Sequence, residues 1–71
     1  MWCKYVIIRD KNGCNAPILF PVTVNHDRFE ELCPGSAGFY DDRQGTNGYS
    51  STLKLGPAQY DEQLIKNFLG R

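Results

Sequence analysis

The sequence predicts a single α+β domain over residues 1–71, with a four-stranded, mainly antiparallel sheet and a C-terminal amphipathic helix packed on one face. Three observations predict this fold. Two Asn-Gly pairs lie where hairpin turns are needed, strand-forming segments flank them, and the last segment carries apolar residues at helical spacing. A chain of 71 residues supports one small core.

The first two strands are predicted to form a hairpin. Cys3–Arg9 is rich in β-branched and aromatic residues, which favour a strand. Asp10–Gly13 follows, and its Asn-Gly pair tolerates the positive φ angles of a tight turn. The second strand is predicted over Ala16–Phe20, with Pro17 inside it and Pro21 after it. Because proline donates no hydrogen bond to a neighbouring strand, we expect this strand at the edge of the sheet.

A short helix is predicted from Asn25 to Cys33. Asn25 is a suitable N-cap, and Val24 and Phe29 occupy the positions of a hydrophobic staple. Pro34–Gly35 then ends the helix after about two turns.

The second half of the chain is predicted to add two strands and the long helix. Ser36–Asp41 is the third strand, Arg43–Gly48 is a turn, and Tyr49–Leu55 is the fourth strand, with side chains alternating at period two. Pro57 suits the first position of the last helix, and Gly70 suits its C-terminal cap. The apolar stripe of this helix consists of Tyr60, Leu64, Ile65, Phe68 and Leu69. The predicted order is therefore ββαββα.

The charge balance argues against several classes of function. Eight Lys and Arg residues balance eight Asp and Glu residues, and the basic residues are scattered along the chain. Nucleic-acid binding, which needs clustered positive charge, is not expected, and neither is a DNA-mimicking acidic surface. No apolar run approaches the roughly 20 residues of a membrane span, so no membrane contact is expected. The first residues lack a secretory signal, which predicts a cytoplasmic protein.

The sequence predicts no catalytic residue, no cofactor and no metal site. The three cysteines, Cys3, Cys14 and Cys33, are expected to be free thiols. His26 and Cys33 would lie roughly 10 Å apart on a helix, too far for a nucleophile–base pair. We expect His26 to be a polar residue of the first helical turn and Cys33 a small buried residue. A zinc site from these four residues would lack the usual pair of closely spaced cysteines.

The acidic residues come in adjacent pairs at positions 30–31, 41–42 and 61–62. Neighbouring side chains on a helix or strand point in different directions, so adjacency does not make a catalytic dyad. We expect these carboxylates to lie on solvated faces.

Aromatic residues suggest the binding surface. Both faces of the first strand are partly apolar, whereas one C-terminal helix covers only one face of a sheet. Trp2, Tyr5 and Tyr40 are therefore candidate anchors of an exposed interface, for a protein partner or for a second copy of the chain. The alternative, equally open, is that the short helix at 25–33 covers this face.

Several stretches resemble small proteins encoded by phages and prophages. These are Ala16–Pro21, Asn25–His26, Ser36–Phe39 and Ser51–Gly56, the last followed by an acidic helix start. The resemblance implies an accessory role in the host cytoplasm, such as stoichiometric inhibition of a host defence system, as anti-CRISPR proteins do. With zero net charge, a shape-specific protein contact is expected. The chain is thus expected to be a non-catalytic protein-binding module; the alternative is a self-associating structural or accessory subunit without a defence target.

Overall fold

The computed structural model describes residues 1–70 and confirms the α+β class, with a four-stranded antiparallel sheet and a C-terminal helix. The strands are β1 (Cys3–Arg9), β2 (Asn15–Phe20), β3 (Ser36–Asp41) and β4 (Gly45–Asn47). A 3₁₀ helix spans His26–Leu32, and α1 spans Asp61–Phe68. The strand order in the sheet is β2-β1-β3-β4, and each pair of neighbours is antiparallel.

β2 forms one edge of the sheet, as its prolines predict. Pro17 lies opposite Ile7 of β1. The carbonyl of Ile7 accepts a hydrogen bond from the Gly35 N–H at 2.9 Å, so the main chain of Ile7 faces β3. Residues directly opposite each other in an antiparallel pair either exchange both main-chain hydrogen bonds or exchange none. Since the main chain of Ile7 is turned toward β3, the main-chain groups of Pro17 point away from β1. Its missing N–H therefore lies on the outer edge, where no hydrogen bond of this sheet is lost.

The fourth strand lies earlier in the chain than the sequence predicts, inside the segment assigned to a turn. The carboxylate of Asp41 accepts hydrogen bonds from the N–H groups of Arg43 and Gln44, both at 3.2 Å, and this tightens the chain reversal. The predicted strand at 49–55 is instead a closed loop, in which Ser50 and Leu55 exchange main-chain hydrogen bonds of 2.7 and 3.2 Å.

α1 begins at Asp61, four residues later than its proline predicts. The Asp61 carboxylate accepts a hydrogen bond from the Ala58 N–H at 2.8 Å, and the Asp61 N–H donates to the Ala58 carbonyl at 3.1 Å. These two bonds close a turn over residues 58–61, which leaves Pro57 outside the helix. Gly70, with a φ of 77°, takes the left-handed conformation that its predicted capping role requires.

The short helix is of the 3₁₀ type, and no side-chain hydrogen bond caps it at Asn25. Side chains three residues apart lie above one another in a 3₁₀ helix. His26 and Phe29 are such a pair, and both contact Phe20 of β2, with ring centroids 5.5 and 4.5 Å away. Val24, the other member of the predicted staple, packs with Phe29 against the same core.

The sheet carries an apolar cluster on each face. Beneath α1 lie Tyr5, Ile7 and Tyr40 of the sheet, which pack against Ile65 of the helix. On the opposite face lie Val6, Phe20 and Ala37, packed against Val24, Phe29, Leu53 and Leu55. The 3₁₀ helix and the loop at 50–55 therefore cover the second face, which confirms the alternative in which the short helix lies over it.

Only part of the predicted helix stripe is core. Ile65 is fully buried and Leu64 is half-buried, whereas Tyr60 and Phe68 are 69% and 63% exposed. Tyr60 precedes the first turn of α1, and the two fully buried residues of the helix are one turn apart, at Asp61 and Ile65. Because contact with the sheet follows this single row, Phe68 lies beside the contact and remains exposed.

Candidate functional site

Two of the three predicted interface anchors lie in the core. Tyr5 and Tyr40 are 0% and 3% exposed, so the expectation that they form an exposed surface is wrong. Alternate residues of β1 face opposite sides of the sheet, and the side that carries Tyr5 and Tyr40 is the side that α1 covers. The side chain of Trp2 lies on the other side of the sheet, because its position is an odd number of residues from Tyr5. It is half-buried at the surface.

Trp2 lies in an apolar depression at the end of the sheet, which we call the Trp2 groove. Its volume is about 600 Å³. The groove is lined by Met1, Trp2, Cys3, Leu19, Phe20, Pro21 and Val22, none of which has a charged side chain. Met1 is fully exposed and Val22 is 46% exposed. Contiguous exposed apolar surface of this kind marks sites of protein contact.

Val22 and Leu19 were not predicted as members of this surface. The usable signal was an edge strand that ends at Phe20 and is followed by Pro21 and the apolar Val22 rather than by a polar turn. That Leu19 and Met1 lie beside Val22 depends on strand pairing, which the sequence does not specify locally.

His26 and Cys33 lie on different surfaces. The His26 ring lies between Phe20 and Phe39, whereas Cys33 is exposed and lines a separate groove with Ile7 and Asp61. His26 does lie in the first turn of the short helix, as expected, but its ring is buried. The expected burial of Cys33 is wrong. Within residues 1–70, no three His, Cys, Asp or Glu side chains come together as possible metal ligands.

All three cysteines are free thiols, but their environments differ. Cys14 and Cys33 are exposed, whereas Cys3 is half-buried and its thiol donates to the Tyr40 carbonyl at 3.6 Å. Burial, reinforced by the negative charges of Asp42 and Asp41, raises the pKa of the Cys3 thiol. Cys3 therefore carries less thiolate at neutral pH than an unperturbed cysteine.

Alkylation of the native protein at pH 8 should modify Cys14 and Cys33 quickly and Cys3 slowly, because the thiolate is the reactive form. Mass spectrometry over time should show two fast additions and one slow one, and three additions after denaturation. Cys3→Ser should remove the slow addition alone. Three equally fast additions in the native protein would contradict the buried position of Cys3.

Asp61 is buried, at 1% exposed, which corrects the expectation of a solvated carboxylate. One carboxylate oxygen accepts from the Tyr5 hydroxyl at 2.7 Å and from the Ala58 N–H at 2.8 Å; the other accepts from the Ser36 hydroxyl at 3.0 Å. Burial and then the Asp61 bond raise the pKa of Tyr5, which keeps its hydroxyl a donor. The network joins α1 to β1 and β3.

Asp41 is also buried, whereas its neighbour Asp42 is exposed. Besides its two bonds to the β3–β4 turn, Asp41 accepts from the Met1 amino group at 2.8 Å. That hydrogen bond is the largest factor holding the pKa of Asp41 below its ordinary value. The buried carboxylates at 41 and 61 are thus used to hold the fold together.

The buried imidazole of His26 borders a small cavity of about 160 Å³, which we call the His26 cavity. The ring is 5% exposed and makes edge contacts with Phe20 and Phe39, at centroid distances of 5.5 and 5.7 Å. Nε2 lies 2.9 Å from the Gly38 carbonyl oxygen. A carbonyl can only accept, so Nε2 carries a proton and donates it to Gly38.

Among residues 1–70, the hydrogen bond of the His26 ring is the one between Nε2 and Gly38. The cavity is lined by Lys4, Asn25, His26, Phe39, Tyr49, Ser50, Ser51 and Thr52. It therefore combines one cationic side chain and several hydroxyl groups with the imidazole of His26.

Comparison with known proteins matches no family model, no curated protein and no solved structure. Among residues 1–70, no helix has the length and apolar character to cross a membrane, and α1 contains eight residues. What the chain does must accordingly be inferred from its surface: the Trp2 groove and the His26 cavity.

Proposed function

We propose that this chain is a small non-catalytic protein-binding module that holds a protein partner by apolar contact in the Trp2 groove. The lining of that groove is the observation that carries the proposal. Seven residues without a charged side chain share one depression of about 600 Å³, and Val22 and Met1 at its rim are exposed. Burying such a surface against a partner is favourable by roughly 25 cal/mol for each Å² of apolar area removed from water.

The partner is proposed to insert side chains rather than to add a strand to β2. The outer edge of β2 presents the main-chain groups of Asn15, Pro17 and Leu19, and the central one lacks an N–H. A strand pairing there would find a gap in the row of donors. Trp2, at the base of the groove, is the proposed anchor, because aromatic residues in desolvated pockets dominate contact energies.

The absence of catalysis is part of the proposal. The Asp61 carboxylate is engaged by three donors, and the His26 ring and the Cys33 thiol border different cavities. These positions favour structural or binding roles for the three residues over acid–base or nucleophilic chemistry.

The partner is proposed to be a host protein, with the chain acting as a phage-encoded inhibitor of a host defence system. The support is the sequence resemblance to phage-encoded proteins, together with zero net charge, which favours recognition by shape over electrostatic steering. The alternative is a self-associating structural or accessory subunit. A two-fold dimer uses the same surface on both subunits, so the exposed apolar residues around the groove, Met1 and Val22, favour this alternative as the second candidate.

Val22→Asp should weaken partner capture by about tenfold or more, because it places a charge in the apolar contact. Leu32→Asp is the matched control, since Leu32 is 49% exposed against 46% for Val22 but lies outside the groove. Affinity capture from host lysate should recover the same protein with wild type and Leu32→Asp, and not with Val22→Asp. Capture should change little between low and high salt.

Light scattering on the same three proteins separates the two candidates. A wild-type dimer that Val22→Asp converts to monomer, without any captured host protein, would support the self-associating subunit instead. Equal capture by Val22→Asp and wild type would show that the Trp2 groove is not the contact.

A further inference from the structure

We propose that the His26 cavity binds inorganic phosphate. The cavity lies on the sheet face opposite α1, and no residue lines both it and the Trp2 groove. This binding site is therefore independent of the proposed protein contact.

Charge is the first observation that supports an anion. Lys4 lines the cavity, and no Asp or Glu does. Lys4 Nζ donates one hydrogen bond to the Val24 carbonyl at 2.9 Å and lies 5.9 Å from the centre of the Phe39 ring. An ammonium group has three N–H donors, so two remain for a ligand after the bond that fixes its position.

His26 is the second group of the proposed site, and there it selects the kind of anion. Nε2–H is engaged by the Gly38 carbonyl, so Nδ1 is the ring nitrogen left for a ligand, and in the proposed site it accepts a hydrogen bond from that ligand. Monohydrogen and dihydrogen phosphate carry a P–OH group that can donate to Nδ1, while their other oxygens accept from Lys4. Sulfate at neutral pH has charge but no proton to give.

Neutral donors complete the cavity wall. Ser51 and Thr52 bring hydroxyl groups to it, and Thr52 Oγ1 lies 3.3 Å from the Ser50 hydroxyl. The Asn25 side chain, which makes no capping bond, also lines the cavity. Hydroxyl, amide and ammonium donors around one small space suit an anion with several acceptor oxygens.

The test is an NMR titration of the wild-type protein with inorganic phosphate, methyl phosphate and sulfate at pH 7.5, following the His26 imidazole and the amides of residues 50–52. We expect the chemical shifts to change and saturate with phosphate, and we expect the affinity for sulfate to be at least several-fold lower. Methyl phosphate is mostly a dianion without a P–OH group at this pH, so it is expected to bind several-fold more weakly than inorganic phosphate. Methyl phosphate that binds as tightly as inorganic phosphate would overturn the proposed contact with His26. Equal shifts with phosphate and sulfate, or no saturation, would overturn the proposal.

Variants then test each contact. Lys4→Met and His26→Gln should each weaken phosphate binding by about tenfold or more, the loss expected for one charge-assisted hydrogen bond. Gln can keep an N–H for the Gly38 carbonyl while removing the ring acceptor. Lys11→Met, in the exposed β1–β2 turn, is the matched control and should bind as wild type does.

If His26→Gln fails to fold, the comparison of phosphate with sulfate on the wild type still tests the role of His26. Ser51→Ala offers a further variant, because Ser51 is exposed and its loss leaves no buried group without a partner. Binding to Lys4→Met that matches wild type would overturn the proposed site.

Discussion

Replacing Ile65 with Ala is expected to lower the free energy of unfolding by about 2–5 kcal/mol, the usual cost of a large-to-small change in a core. Ile65 is the fully buried apolar residue of α1 and packs on the sheet against Tyr5, Ile7 and Tyr40. A cavity at this point removes the main apolar contact between the helix and the sheet. In a domain of this size the loss is a large part of the total stability.

Urea denaturation followed by tryptophan fluorescence and circular dichroism measures this effect. Phe68→Ala is the matched control on the same helix: Phe68 is 63% exposed, so its loss should change stability by only about 0.5 kcal/mol. Equal destabilisation by the two variants would mean that α1 packs through its whole apolar stripe, as the sequence alone suggests.

Replacing Asp61 with Ala is expected to cost about 3 kcal/mol or more, because it leaves two buried hydroxyl groups without an acceptor. The Tyr5 and Ser36 hydroxyls both donate to this carboxylate, and so does the Ala58 N–H at the start of α1. The adjacent Glu62 is the control. It is half-buried and pairs with Lys66, so Glu62→Ala should change stability little.

A double-mutant cycle shows whether the Asp61 effect arises from these hydrogen bonds. Tyr5→Phe should destabilise the wild type, since it removes the donor to Asp61. In the Asp61→Ala background the same change should be neutral or stabilising, because it removes a hydroxyl that has already lost its partner. Additive effects of the two substitutions would contradict a direct interaction.

The parts of the fold that depend on short-range signals were predictable from the sequence. The bounds of β1 and β3 agree with their runs of β-branched, aromatic and small residues, and the edge position of β2 follows from Pro17. Strand propensity and the effect of proline on strand pairing depend on residues within a few positions along the chain. These parts of the fold could therefore be predicted without knowing which distant residues are in contact.

The errors occur where a side chain bonds to the main chain a few residues away. Asp41 accepts hydrogen bonds from the turn that follows β3, so the chain reverses earlier than predicted and β4 lies at 45–47. Asp61 closes a turn with Ala58, so α1 starts later in the chain than predicted. Asp residues favour many positions near turns and helix starts, and their tertiary burial decides which one they take.

The candidate site was predicted only through Trp2. The alternation along β1 predicts that Tyr5 and Trp2 face opposite sides, but not which side α1 covers. The position of the His26 ring could not be predicted either, because it depends on a hydrogen bond to Gly38, twelve positions along the chain.

The bond between Tyr5 and Asp61 joins residues 56 positions apart, at opposite ends of the described chain. During synthesis on the ribosome, the β1–β2 hairpin emerges long before its buried tyrosine can find the carboxylate. The inner face of the sheet therefore stays uncovered until α1 has been made, and the packing of α1 on it is a late event in folding. We expect a nascent chain stopped before residue 61 to be sensitive to proteases and to bind chaperones, and a few further residues of synthesis to abolish both properties together.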